Sequence, residues 1–129
     1  VQSGKINRYR NNPKELLKWI AKKLPSENVV MGTGFGPPGI VLLDILFQVT
    51  REISVFYIDT GFLFDQTYNL KDKLEKRYGF EFIKVNTDTT PEVQDKEYGT
   101  NLWEKDADAC CNLRKVIPLK QALSNYDVW

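Results

Sequence analysis

Two adjacent cysteines, Cys110 and Cys111, are the most chemically reactive side chains in this sequence, which contains no other cysteine and no histidine. Neighbouring thiols can both reach one soft metal ion or iron–sulfur cluster, whereas a disulfide between them would be strained. Arg114 and Lys115 follow about one helical turn later, where their charges can offset thiolates or hold a sulfate. Taken alone, the pair favours buried structural cysteines over a metal site.

A metal at this pair would need further ligands, because such sites use about four protein groups. Zinc completed by Asp106 or Asp108 is conceivable, although that choice of ligands would be unusual.

A second candidate site is the glycine-rich stretch Gly32–Gly39, which follows a short apolar segment and precedes a predicted helix. Its four glycines allow backbone N–H groups to face an anion, and the helix N-terminus adds partial positive charge. The stretch lacks the Gly-Lys-Ser/Thr ending of a Walker loop and the third glycine of a dinucleotide fingerprint. It predicts phosphate or nucleotide binding, with a purely structural turn as the alternative.

A third candidate is Asp59 with Thr60, directly after a second apolar segment. A carboxylate and a hydroxyl at the end of a strand can hold a ribose, a base edge or a metal-bound phosphate. The alternative is that both residues cap the helix predicted to begin near Asp65.

The elements that must position these residues alternate between helix and strand. Apolar spacing and breakers predict helices after Asn12 and over residues 40–50, 65–78 and 91–98. They predict strands over residues 29–31, 53–58 and 80–85. They also predict a loop over residues 99–109, a helix that opens at the cysteines and a strand that begins at residue 127. This order predicts one α/β domain over residues 1–129, a doubly wound, mostly parallel sheet covered by helices on both faces. Ligands of such sheets bind beyond the carboxyl ends of the strands.

Composition excludes several classes of protein. The 129 residues carry 18 basic and 17 acidic side chains, so the net charge of +1 gives no electrostatic case for nucleic acid or a membrane surface. No apolar run reaches the roughly 18 residues of a membrane span, and no signal peptide is visible. Unpaired cysteines favour the reducing cytoplasm.

In this order and spacing, the three candidate sites resemble the assimilatory sulfonucleotide reductases, the cysteine segment through Leu119 being the most specific part. The resemblance implies a three-layer fold of the adenine-nucleotide α-hydrolase (PP-loop) kind. It also implies reduction of adenylyl sulfate or phosphoadenylyl sulfate to sulfite and AMP or adenosine 3′,5′-bisphosphate, with thioredoxin or a similar thiol donor, by thiolate attack on the substrate's sulfur. Members with a Cys-Cys pair hold a 4Fe–4S cluster and usually prefer adenylyl sulfate.

Carried over by position, the resemblance makes Cys110 and Cys111 two of the four cluster ligands and Lys115 the cation between the cluster and the substrate's sulfate. The substrate-binding residues that it implies are Thr33, Gly34, Phe35, Gly36, Pro37, Pro38, Gly39, Asp59, Thr60, Gly61, Phe62 and Arg114.

Three parts of the family pattern have no counterpart here: an arginine-rich loop, a Cys-x-x-Cys pair and a nucleophilic cysteine on a C-terminal tail. We expect these parts beyond Trp129, and therefore no turnover by these 129 residues alone. The pattern does not decide which of the two sulfonucleotides is the substrate, or whether the protein forms a homo-oligomer. The alternatives are a relative of ATP pyrophosphatases or of the small subunit of sulfate adenylyltransferase, and a non-catalytic nucleotide-binding module.

Overall fold

A three-stranded parallel sheet organises the protein, whose computed structural model describes residues 9–129. The strands are β1 (Val30–Gly32), β2 (Ser54–Asp59) and β3 (Ile83–Asn86), in the spatial order β1-β2-β3. Gly32 lies opposite Phe56, and Asp59 lies opposite Asn86, so the carboxyl ends of the strands form one edge. Val128 adds a parallel bridge to Val29, in agreement with the strand predicted to begin at residue 127.

Within residues 9–129, seven α-helices connect and cover the strands. They are α1 (Pro13–Lys23), α2 (Pro37–Val49), α3 (Asp65–Tyr78), α4 (Pro91–Tyr98), α5 (Leu102–Lys105), α6 (Ala107–Cys111) and α7 (Ile117–Leu123), with a 3-10 turn at Ser26–Asn28 and a π-helical segment at Asn112–Val116. Asn12 caps α1, because its side chain accepts a hydrogen bond from the Glu15 N–H. Gly79 ends α3 in the left-handed conformation that glycine adopts without strain. Within residues 9–129, no helix has both the length and the apolarity to cross a membrane.

Helices cover both faces of the sheet. On one face, Val55 of β2 belongs to the same buried cluster as Leu46 of α2 and Leu74 of α3. The neighbouring Phe56 points to the opposite face, where it lines a cavity together with Leu119 of α7. The predicted α/β fold with a parallel sheet is confirmed. The buried cluster comprises Val29, Phe35, Leu43, Leu46, Ile53, Val55, Tyr57, Leu74 and Phe82.

The predicted elements are correct for α3 and α4 and wrong around the cysteines. Residues 99–109 were predicted as a loop, but they contain α5 and most of α6. Asp106 begins α6 by accepting a hydrogen bond from the Ala109 N–H, so the cysteines end that helix instead of opening one. The third strand starts at Ile83, three residues later than predicted.

Candidate functional site

Two cavities at the carboxyl edge of the sheet contain part of the predicted site, whereas Phe35–Gly39, Asp59 and Gly61 line neither of them. The first, which we call the thiol cavity, has a volume of about 540 Å³ and is lined by Thr60, Phe62, Leu63, Phe64, Trp103, Ala107, Cys110, Cys111, Arg114 and Lys115. The second, the glycine cavity, has a volume of about 380 Å³ and is lined by Gly32, Thr33, Gly34, Phe56, Ile58, Thr60, Leu63, Lys115, Leu119 and Trp129. Thr60, Leu63 and Lys115 line both cavities. The cavity at the cysteines and the cavity at Gly32–Gly34 therefore adjoin at these three residues.

The cysteine segment changes its helical geometry as it passes the cavity. Cys110, which is 8% exposed, and Cys111, which is exposed, end α6, and both thiols are free. The chain then widens into the π-helical segment, which contains Arg114 and Lys115. Arg114 is buried there and Lys115 is exposed, although both line the thiol cavity. Short π-helical stretches often occur at functional sites, where they redirect side chains.

Arg114 connects the cysteine segment to the ends of β2 and β3. It is 3% exposed, and its Nη1 donates to the carbonyl oxygens of Thr60 at 3.0 Å and Thr89 at 3.1 Å. The same nitrogen contacts Thr87 Oγ1 at 3.4 Å, and Nε donates to Gln94 Oε1 at 2.7 Å. Nη2 is buried and has no hydrogen-bond partner among the described residues. Most N–H donors of Arg114, which is predicted to bind the substrate, are therefore engaged within the protein.

Aromatic side chains form one wall of the thiol cavity. The rings of Phe62 and Trp103 meet edge to face with their centroids 5.1 Å apart. The guanidinium carbon of Arg114 lies 5.0 Å from the centroid of Phe62. Phe64 is 76% exposed beside them. This wall offers apolar surface next to two cations, an arrangement suited to a ligand that combines a ring with an anionic group.

Asp59 is a buried carboxylate that accepts several hydrogen bonds. Its carboxylate accepts from the Gly61 N–H at 3.0 Å, from Tyr68 Oη at 2.7 Å and from Lys84 Nζ at 2.8 Å. Burial raises the pKa of Asp59, but the hydrogen bonds from Lys84, Tyr68 and Gly61 outweigh it and hold this pKa below its usual value. The hydrogen bond to Asp59 is also the largest cause that raises the pKa of Tyr68 to about 12. The carboxylate is thus charged and already has three donors.

Asp59 and Thr60 do not cap α3. That helix has Phe64 at its N-cap without a side-chain hydrogen bond. Thr60 Oγ1 instead accepts from the Phe62 N–H at 3.2 Å, and the Asp59 bond to Gly61 closes the preceding turn. The capping alternative was therefore wrong, and both side chains shape the turn that leads from β2 into the thiol cavity.

The glycine-rich stretch directs its one large side chain into the core. Phe35 has a φ of +61° and is 8% exposed, and its ring centroid lies 5.4 Å from Tyr57 and 5.1 Å from Phe82. Only the backbone of Phe35 is therefore available for the predicted contact with a nucleotide. Thr33 Oγ1 accepts from the Phe35 N–H at 3.1 Å and stabilises this conformation.

Two prolines reduce the anion-binding capacity at the start of α2. Pro37 and Pro38 occupy the first two helical positions after the Gly36 cap, where neither has an N–H to donate. A Cβ on Gly39 would lie 3.0 Å from Thr33 Oγ1, so this close approach favours glycine. The N–H groups left to face an anion come from the glycines.

The described residues do not form a complete metal site. Within residues 9–129, no group of three or more cysteine, aspartate or glutamate side chains could hold a metal ion. Asp106, considered as a zinc ligand, instead accepts a hydrogen bond from the Ala109 N–H at 2.9 Å. Two thiols alone do not meet the four ligands of a 4Fe–4S cluster.

Comparison with known proteins identifies the family. Residues 28–129 match the model of the phosphoadenosine phosphosulfate reductase domain. The chain belongs to this family. It is 37% identical over 121 residues to "Adenosine 5′-phosphosulfate reductase" of Halalkalibacterium halodurans. The aligned residues cover 93% of this chain and 52% of that relative. It is 38% identical over 115 residues to "Adenosine 5′-phosphosulfate reductase 1" of Bacillus subtilis, covering 88% and 49%. The chain thus spans about half the length of these curated relatives.

A solved structure supports the fold assignment. The crystal structure of phosphoadenylyl-sulfate reductase from Candida auris, in a phosphate complex, superposes with a TM-score of 0.75 and 29% identity. The match covers 95% of this chain and 62% of that one. The resemblance inferred from the cysteine segment, the glycine-rich stretch and the turn after β2 is confirmed at the level of family and fold.

Sequence reasoning missed the partners of Arg114. Gln94 is 1% exposed, and Thr87 and Thr89 follow β3, yet none of them stands out in the sequence. Thr90 was a recognisable helix cap, since its side chain accepts from the Val93 N–H. That signal predicts the start of α4 and says nothing about which of its side chains is buried.

Proposed function

We propose that this chain binds a sulfonucleotide, adenylyl sulfate or phosphoadenylyl sulfate, across the two adjacent cavities. The observation that carries the proposal is that Lys115 lines both cavities, between the cysteines and the Gly32–Gly34 backbone. The sulfate would lie at Lys115 in the thiol cavity, and the nucleotide would extend toward the glycine cavity. The printed names of the relatives, which are adenosine 5′-phosphosulfate reductases, support this class of ligand.

The proposed reaction is a thiol-dependent reduction in sulfate assimilation. A cysteine thiolate attacks the sulfur of the phosphosulfate, forming a sulfur–sulfur bond, while the bond from that sulfur to the phosphate oxygen breaks and releases the nucleotide. A donor thiol, thioredoxin or a similar protein, then attacks the enzyme cysteine and releases sulfite, leaving a disulfide. Nucleophile and substrate are both anionic, so Lys115 would offset charge as they approach each other. Arg114, which is buried but lines the thiol cavity, would contribute a second positive charge.

The cysteine pair has a separate part in this proposal. Cys110 and Cys111 would be two of four ligands of a 4Fe–4S cluster, with the attacking thiolate belonging to another cysteine. Because the described residues supply only these two thiols, no step of the reaction is assigned to the cluster. Free thiols agree with a reducing compartment, and we propose the cytoplasm.

Calorimetric titration with adenylyl sulfate tests the assignment of Lys115. Lys115→Ala is expected to weaken binding by about 10- to 100-fold, because a charge-assisted hydrogen bond to the sulfate is lost. AMP, which lacks the sulfate, should bind wild type and variant almost equally. Lys120→Ala, which removes an exposed lysine from the same stretch of chain, is the matched control.

Equal affinity of wild type and Lys115→Ala for adenylyl sulfate would contradict the proposal, as would adenylyl sulfate binding no better than AMP. Tight binding of ATP with weak binding of adenylyl sulfate would favour the ATP-pyrophosphatase alternative.

A further inference from the structure

Gln94 is a polar side chain buried almost completely behind the thiol cavity. It lies on α4 and is 1% exposed. A buried amide lowers stability unless both its oxygen and its nitrogen find partners. Gln94 Oε1 accepts from Arg114 Nε at 2.7 Å, and Gln94 Nε2 faces Cys110 Sγ at 3.9 Å. One amide thus contacts two residues of the cysteine segment.

The orientation of this amide follows from the chemistry of its neighbour. A guanidinium group donates hydrogen bonds and accepts none, so the amide oxygen must face Arg114. The NH₂ group is then left to face Cys110. The buried sulfur is therefore supplied with a donor whose direction is set by a cation that is itself tied to Thr60 and Thr89.

The two neighbouring thiols differ in their surroundings. Cys110 is 8% exposed and receives the Gln94 contact, whereas Cys111 is exposed. Cys110 and Arg114 are separated by four positions, so they fall on nearly the same side of the segment that passes from α6 into the π-helical turn. Gln94 spans both of them from the neighbouring helix.

We propose that Gln94 is a positioning residue that fixes the side-chain orientation of Cys110 and thereby decides which of the two adjacent thiols is held inward. Both cysteines line the thiol cavity, and Cys111 is left as the solvent-exposed thiol of the pair. The proposal concerns the protein without any ligand and does not depend on which nucleotide the cavities bind.

Two variants distinguish the contact made by the amide NH₂ group from the contact made by the amide oxygen. Gln94→Glu keeps an acceptor for Arg114 and nearly the same volume, but it places an oxygen where the NH₂ group faced the sulfur. Gln94→Met has similar length and removes both interactions. Glu97→Gln, on an exposed position of α4, is the matched control.

The deciding measurement is the three-bond Hα–Hβ coupling of Cys110 in the nuclear magnetic resonance spectrum of the protein without ligand. Wild type and Glu97→Gln should show couplings of one χ1 rotamer, and Gln94→Glu should show averaged couplings while its melting temperature stays close to that of wild type. Gln94→Met should lose the single rotamer too, with a lower melting temperature, because Arg114 loses an acceptor.

Averaged couplings of Cys110 in wild type would overturn the proposal, and so would a single unchanged rotamer in Gln94→Glu. Because Gln94→Glu keeps the bond to Arg114, the test does not require Gln94→Met to fold. Failure of the nucleotide titrations would leave this outcome unaffected, so the two proposals fail separately.

Discussion

Replacing Arg114 with methionine should lower the free energy of unfolding by about 3–5 kcal/mol, a large part of the stability of a small domain. Methionine can occupy much of the space, but it cannot donate to the carbonyl oxygens of Thr60 and Thr89 or to Gln94 Oε1. Three acceptors would be left in the protein interior without this donor. Urea denaturation at neutral pH measures the loss.

Lys115→Met is the matched control, because it makes the same substitution at the adjacent, exposed position. Its unfolding free energy should stay within about 0.5 kcal/mol of wild type. Arg114→Lys should not restore stability, since one ammonium group cannot reproduce the fork of a guanidinium. An Arg114→Met variant as stable as Lys115→Met would show that Arg114 does not connect the cysteine segment to the sheet.

Gly61→Ala should lower the free energy of unfolding by about 2–4 kcal/mol, through backbone strain and overpacking together. Gly61 has a φ of +75°, and a Cβ at this position would lie 3.1 Å from Pro91 Cγ and 3.5 Å from Arg114 Nη1. The added methyl group would push on the start of α4 and on the guanidinium. Urea denaturation again measures the effect.

Gly79→Ala separates the two causes. Gly79 has a φ of +64°, but a Cβ there would meet nothing within 4 Å. Gly79→Ala should therefore lower the free energy of unfolding through backbone strain alone, by about 1–2 kcal/mol. Equal losses for Gly61→Ala and Gly79→Ala would contradict the tight packing inferred between the turn after β2, α4 and Arg114.

Local signals in the sequence explain which elements were predictable. Gly79 and Pro91 are strong breakers, and α3 and α4 have the predicted bounds. The start of β3 was placed too early because Phe80 and Phe82 read as strand residues, whereas they pack against one another with centroids 4.5 Å apart before the strand begins. Tertiary packing of aromatic rings replaced strand pairing there.

The chemistry of the site was only partly predictable from the sequence. The cysteines, Lys115 and the glycine-rich stretch could be singled out, since their residue types are unusual at such spacing. The burial of Arg114 was not predictable, because it depends on Gln94, 20 positions away, and on Thr60, 54 positions away. A glutamine in a short helix carries no signal that distinguishes an exposed amide from a buried one.

We propose above all that the cysteine segment and the Gly32–Gly34 backbone line one ligand site, and the rate at which Cys111 reacts with iodoacetamide tests this most directly. Adenylyl sulfate at about ten times its dissociation constant should slow this reaction about tenfold in a Cys110→Ser background, because only the unliganded fraction reacts. AMP at equal saturation should protect less, since it lacks the sulfate. An unchanged rate at saturating adenylyl sulfate would show that the nucleotide binds away from the thiol cavity.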